Sequence, residues 1–232
     1  VLPRQREPAR PVATDAARRA GGVALILAGT LDAGWTVLAG WRSGPAWPWL
    51  LFSEVEVAGR PWAWLFRGGF VAADLLVTAA AVALAAVEPA RYPGPSRAAA
   101  RMRLAWLALA LYGAASTVDE LAGMSCVPHV DAGCELPVVS LRAPWVDQAH
   151  GLVSVLAVLG LLGSMLAVSL AGREHPRGAA LRWAPGWLAA ELTATVALGA
   201  CLLAGGPTGM PQTAEMLVEA TWLALLGRHA VT

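Results

Sequence analysis

The chain has 232 residues, 57% of them hydrophobic and 14% charged, with a mean hydropathy of +0.56. Soluble domains carry about 25% charged residues. The composition therefore excludes a disordered chain, a disulfide scaffold and a basic nucleic-acid binder, and indicates an integral membrane protein. The 17 basic residues are all arginine and nearly cancel the 16 acids, leaving a formal charge of +1.

A helix needs about 20 mostly apolar residues to cross a bilayer. Six segments meet or approach that length: 23–41, 62–87, 104–122, 145–171, 183–204 and 211–226. The expected fold class is all-α, a polytopic transmembrane bundle of six helices over residues 23–232, preceded by a basic tail at 1–22. That tail holds Arg4, Arg6, Arg10, Arg18 and Arg19 with Pro3, Pro8 and Pro11. A charged start before an apolar run is also the form of a signal peptide. The length of the run, its Asp32 and the lack of a small-x-small cleavage site favour an uncut anchor helix. The second and fourth segments are long enough to tilt. The sixth is the shortest and contains Glu215 and Glu219.

Arginine is retained on the cytoplasmic side, so loop arginines report topology. They concentrate in the tail, in the loop after the second segment (Arg91, Arg97, Arg101, Arg103), in the loop after the fourth (Arg173, Arg177, Arg182) and at Arg228. The alternate loops hold only Arg42, Arg60 and Arg142, with Arg67 just inside the second segment. Both termini are expected to be cytoplasmic, in a bacterial inner membrane, with 42–61, 123–144 and 205–210 facing outward. Trp41, Trp47, Trp49, Trp62, Trp64 and Trp145 fall near the outer interface and Trp106, Trp183 and Trp187 near the inner one, as an aromatic belt requires. The acids separate from the arginines. Glu54, Glu56, Asp119, Glu120, Asp131, Glu135 and Asp147 collect at the outer side with His129 and His150.

Cys126 and Cys134 lie in one outward loop, with Pro128 and Gly133 between them. That compartment is oxidising and the spacing can close, so a disulfide is expected. The alternative is a metal site built from Cys126, His129, Asp131 and Cys134, which suits zinc chemically but lacks CxxC spacing. Cys201 reads as an ordinary small residue of the fifth segment.

Ionisable groups at membrane depth are costly and functional by default. Asp32, Asp74, Glu191, Glu215 and Glu219 are such groups, without a lysine or arginine at their depth. Glu215 and Glu219 are four apart and share a helix face. They either glue neighbouring helices by hydrogen bonds or line a polar cavity. Gly29, Gly34, Gly160 and Gly163 are expected to let helices approach closely. At the outer ends, Ser116, Asp119, Glu120, Asp147 and His150 converge, with Ser53 and Glu54 from the first outer loop. Asp147 and His150 are i, i+3, so they can share a face. A carboxylate beside a histidine orients the ring and suits a general base. Ser53, Glu54, Asp119, Asp147 and His150 are thus the candidate catalytic set, although no GxSxG or HExxH pattern accompanies them.

Short motifs across the chain resemble the DUF998 family of membrane proteins. They are Phe52-Ser53-Glu54, the run from Gly59-Arg60-Pro61-Trp62 to Gly68-Gly69-Phe70, and Val118-Asp119-Glu120 leading into the two-cysteine loop. Gln148-Ala149-His150-Gly151 and the stretch from Gly209-Met210-Pro211-Gln212 to Trp222-Leu223 complete them. The resemblance spans roughly residues 22–229 and implies the six-helix fold and topology, but no activity. The function expected is binding of a lipid or other amphiphile in an outward polar pocket. The rivals are an intramembrane hydrolase or transferase using His150, Asp119 or Asp147, and Ser53, and a proton-coupled transporter using Asp32, Asp74 and Glu191. Membrane lipids are the expected partners, with a second copy or another membrane protein as the alternative. No nucleic acid, cofactor or resident metal is expected.

Overall fold

Seven α-helices form among the described residues of a computed structural model, which are 12–57, 59–91, 96–127, 131, 133–134, 142–174 and 179–232. They are α1 (Val12–Ser43), α2 (Phe52–Val55), α3 (Ala63–Val87), α4 (Arg97–Ala122), α5 (Trp145–Gly172), α6 (Ala179–Ala204) and α7 (Gly209–Val231). No strand occurs among these residues. By length and apolarity four helical stretches can cross a membrane: Thr14–Trp49, Ala63–Val87, Trp145–Gly172 and Arg182–Ala204. α4 and α7 fall short on apolarity, because arginines open α4, acids close it, and Glu215 and Glu219 interrupt α7. The chain is an all-α membrane protein.

Local chemistry sets the helix ends. α1 starts at Val12, inside the stretch expected to be a tail, because Ala and Arg are strong helix formers and Asp15 sits in the first turn. Ser96 caps α4 by accepting from the Ala99 amide at 3.1 Å. Gly123, at φ +60°, lets the chain turn out of α4 where a side chain would be strained. Trp62 is the one non-glycine residue at positive φ among those described, at the start of α3. The guanidinium of Arg42 lies 5.0 Å from its ring centroid and 5.9 Å from that of Trp41, which holds the turn through cation–π contact.

The six long helices form a closed ring in the order α1, α3, α4, α5, α6, α7 and back to α1. The shared core is built from Leu25, Leu84, Met102, Trp106, Leu161, Met165, Trp222 and Leu226. Small residues set the closest approaches. A Cβ on Gly29 would strike the Ala220 carbonyl of α7, and one on Gly160 would lie 2.7 Å from the Tyr112 amide of α4. Gly34 does not fit the expectation: it faces open space, and Gly163 makes only an ordinary 3.5 Å contact with Ala108. Gly113 is a further close approach, 2.6 Å from Thr78 Oγ1 of α3 if given a Cβ, and a Cβ on Gly22 or Gly227 would meet the other's carbonyl across α1 and α7.

The two ends of the ring differ. At the terminal end, Arg18 donates to the Ala230 carbonyl, and Arg91 bridges Glu88 and the His229 carbonyl, both at 3.1 Å. Arg101 donates to Glu174 at 2.7 Å and to the Leu170 carbonyl at 2.9 Å. At the opposite end, Cys126 and Cys134 form a disulfide with Cα atoms 5.9 Å apart. We call this the disulfide end. Both thiols are consumed there, which removes two of the four donors of the alternative metal site. His129 and Glu135 lie outside the described residues.

Candidate functional site

Helices α4 and α5 bring Asp119 and His150 together at the disulfide end. His150 Nδ1 lies 2.9 Å from Asp119 Oδ1 and 3.3 Å from the Asp119 carbonyl. Ser154, one turn along α5, donates to both carboxylate oxygens at 3.0 and 2.9 Å. The carboxylate is therefore fixed from two sides, and in the neutral ring Nδ1 carries the hydrogen and Nε2 is the basic nitrogen. Ser154 was not among the expected residues, yet its i+4 offset from His150 was the available signal.

Asp147 does not join His150. It lies in the first turn of α5 and turns back over the loop, accepting from the Ser125 amide at 2.7 Å and its hydroxyl at 2.6 Å. Asp131 makes a similar strut, accepting from the Val127 amide at 2.7 Å. Ser53 donates to Met124 Sδ at 3.3 Å, and Glu54 accepts from the Leu51 amide at 3.1 Å. The structure thus pairs Ser53 with a thioether and not with His150. Glu54, Glu56, Asp147 and His150 are all buried.

Beside the histidine pair, the Glu56 and Glu120 side chains hydrogen-bond to one another. Two carboxyls can do so only when one carries a proton. Burial pushes Glu56 up to about 7, offset in part by its bond to Glu120 and by the nearby Arg67. Arg67 donates to the Glu56 carbonyl at 3.0 Å and is the guanidinium that faces this cluster.

Deeper in the ring, Asp74 of α3 lies within electrostatic reach of Glu120 and Asp119 on one side and Asp32 on the other. Asp32 of α1 hydrogen-bonds Glu219 of α7, and Tyr112 of α4 donates its hydroxyl to Glu219 Oε1. The carboxyl groups of Glu56, Glu120, Asp119, Asp74, Asp32 and Glu219 therefore run as a column from the disulfide end to the middle of the helices. Tyr112 carried no sequence signal, and the Glu56–Glu120 contact joins a loop to a helix that periodicity cannot relate.

The remaining acids are elsewhere. Glu191 of α6 is fully buried and lies near Glu215 of α7, which accepts from Thr195 at 2.7 Å. Asp32, Asp74 and Glu191 were expected on one path, but α7 stands between: Glu219 faces the column and Glu215 faces α6. A cavity of about 440 Å³ opens along α6 and α7 in the half nearer the termini, lined by Trp183, Gly186, Trp187, Ala190 and Leu225.

Long apolar helices closed around buried acids define a polytopic α-helical membrane protein. A family described as protein of unknown function (DUF998) matches residues 26–229, nearly the whole chain, and the chain belongs to that family. No curated protein and no solved structure matches it.

Proposed function

We propose that the protein is a proton-coupled membrane transporter. The carboxyl column carries this reading: Glu56, Glu120, Asp119, Asp74, Asp32 and Glu219, bonded or close in sequence of depth, with His150 and Tyr112 attached. Acids at membrane depth without matching cations are the usual parts of proton relays. Protons would enter at the Glu56–Glu120 pair and pass by Asp74 to Asp32 and Glu219. In this reading six helices span a bacterial cytoplasmic membrane with both termini inside. The arginine distribution supports that sidedness, and so does a disulfide at the opposite end, since disulfides persist in oxidising compartments.

Lipid or amphiphile binding was the function expected for an outward pocket. The burial of Glu54, Glu56, Asp147 and His150 gives the proton reading precedence. A hydrolase or transferase is favoured by one observation, the 2.9 Å His150–Asp119 pair, which would make His150 a base acting on water.

Proteoliposomes loaded with a pH-sensitive dye test the proposal under a potassium diffusion potential set by valinomycin. The wild-type chain should acidify the lumen well above protein-free vesicles. Asp74→Asn and Asp32→Asn should each cut that flux by roughly tenfold or more, since each removes a link of the relay. Wild-type flux equal to that of empty vesicles would overturn the proposal.

A further inference from the structure

The carboxyl column ends at Glu219, in the middle of the helices, so a proton that reaches it has crossed only the half nearer the disulfide. Two helix faces continue past that point. On α7, Glu219, Trp222, Leu226 and His229 stand at i, i+3, i+7 and i+10, which is one face. On α3 and its C-terminal cap, Asp74, Ala81 and Glu88 stand at i, i+7 and i+14. All but His229 are buried, and the His229 side chain is only 10% exposed. The two faces meet at the terminal end. His229 Nε2 lies 3.5 Å from Glu88 Oε1, which also accepts from Arg91 at 3.1 Å. Glu88 Oε2 has no hydrogen-bond partner among the described residues.

Between the column and this pair, three fully buried donors lack a protein partner among the described residues: the indole N–H groups of Trp222 and Trp106 and the Ser164 hydroxyl. At about 1.5 Å of rise per residue, Trp222 stands about 4.5 Å beyond Glu219 along α7, and His229 about 15 Å beyond it. Trp106 stands about 9 Å beyond Tyr112 along α4. Ser164 stands about 6 Å beyond Gly160, which packs against Tyr112. The donors therefore divide the interval from Glu219 to His229 into short steps. Buried polar groups that a protein leaves unpaired are where internal water binds.

We propose that Glu88 and His229 form the proton-release site at the terminal end, reached from Glu219 by internal water held at Trp222, Ser164 and Trp106. This inference rests on the transporter reading and supplies the second half of its path. Glu219 gives its carboxyl proton to the water and is left a carboxylate. His229 Nε2 takes a proton from that water and becomes an imidazolium beside the Glu88 carboxylate. The proton then leaves to solvent on the side of Arg91, whose side chain is 27% exposed. The other charged groups at this end are held elsewhere. Arg18 of α1 donates to the Ala230 carbonyl with Asp15 3.8 Å away, Arg101 of α4 is paired with Glu174 after α5, and Arg228 is exposed. The buried residues of the first turns of α4, Ala98 and Met102, are apolar.

Two measurements on the full chain test this. In the proteoliposome assay, Glu88→Gln and His229→Asn should each cut proton flux by roughly tenfold or more. Trp222→Phe, which keeps the ring and removes the N–H, should cut it by a smaller factor. Arg101→Gln, at the same end, should leave it unchanged. In detergent, a step from alkaline to acidic buffer with a pH dye reads proton uptake, which Glu88→Gln and His229→Asn should retain at the column. If Glu88→Gln elutes as aggregate, His229→Asn decides. Wild-type flux that survives in these variants would overturn this inference and leave the transporter reading standing. Joint loss of uptake and flux would overturn it too, because the pair would then only hold the bundle together. Absence of wild-type flux would overturn both.

Discussion

The seam between α1 and α7 and the seam between α6 and α7 bury acids in opposite ways. Along α1, glycines let the α7 backbone come into contact, and Asp32 meets Glu219 and, through it, Tyr112. Along α6, Gly186 and Gly199 face open space, Pro185 removes a helix hydrogen bond, and only 11% of the span is buried, against 44% for α3. Glu191 there has no partner among the described residues. Dense packing supplies a buried acid with protein partners, whereas the looser seam leaves Glu191 without one among the described residues. Four substitutions along these seams sharpen or break this contrast.

The largest effect is expected at glycine. Gly29→Ala should lower thermal stability in detergent by ~3 kcal/mol, because the added methyl meets the Ala220 carbonyl, which belongs to backbone that cannot rotate away. Gly199→Ala should be neutral or stabilising, since helix propensity gains up to about 1 kcal/mol and nothing stands in the way. Equal losses at both positions would break the comparison.

An intermediate effect is expected from removing acids. Glu219→Leu should destabilise by about 2 kcal/mol, because Asp32 and the Tyr112 hydroxyl lose their shared partner and remain buried. Glu191→Leu should stabilise by about 1–3 kcal/mol, since it replaces an unpaired buried acid with an apolar side chain. Thermal scans of the two variants, side by side with the wild type, give opposite signs if the contrast holds.

A further effect concerns pH. Glu56 rises from the usual 4.5 to about 7, so between those values the folded chain binds more protons at this site than the unfolded one. Its contribution is present in full below pH 4.5 and is lost as pH rises through about 7. Stability traced by chemical denaturation should fall over that window, and Glu56→Gln should flatten the fall.

Much of the fold is legible in the sequence, because hydrophobic runs and arginine placement are one-dimensional signals. α3 and α5 match their expected ends within one residue, whereas α4 and α6 begin earlier and α7 ends later than the apolar runs, and α1 extends furthest because its arginine-rich start is also a good helix. Pairings across helices are less legible. His150 and Asp147 satisfy an i, i+3 rule, yet a residue in the first turn of α5 can reach the preceding loop, and Asp147 does so through Ser125. Glu215 and Glu219 satisfy an i, i+4 rule, yet α7 lies between neighbours on both sides, so one acid turns to Thr195 and the other to Tyr112. Shared faces tell which residues are neighbours on one helix. They do not tell which neighbouring helix each side chain meets.

The ring is closed by its first and last helices, and this has a consequence for assembly. Helices enter the bilayer in order of synthesis. Asp32 of α1 therefore reaches membrane depth long before Glu219 of α7 exists to bond it, and until then its carboxyl must face lipid, water or a helper protein. The seam in which glycines of α1 meet the α7 backbone is the last of the ring that can form. Any ribosome that stops before α7 releases a chain whose earliest helix still carries an uncovered acid, a mark by which quality control could recognise it as unfinished.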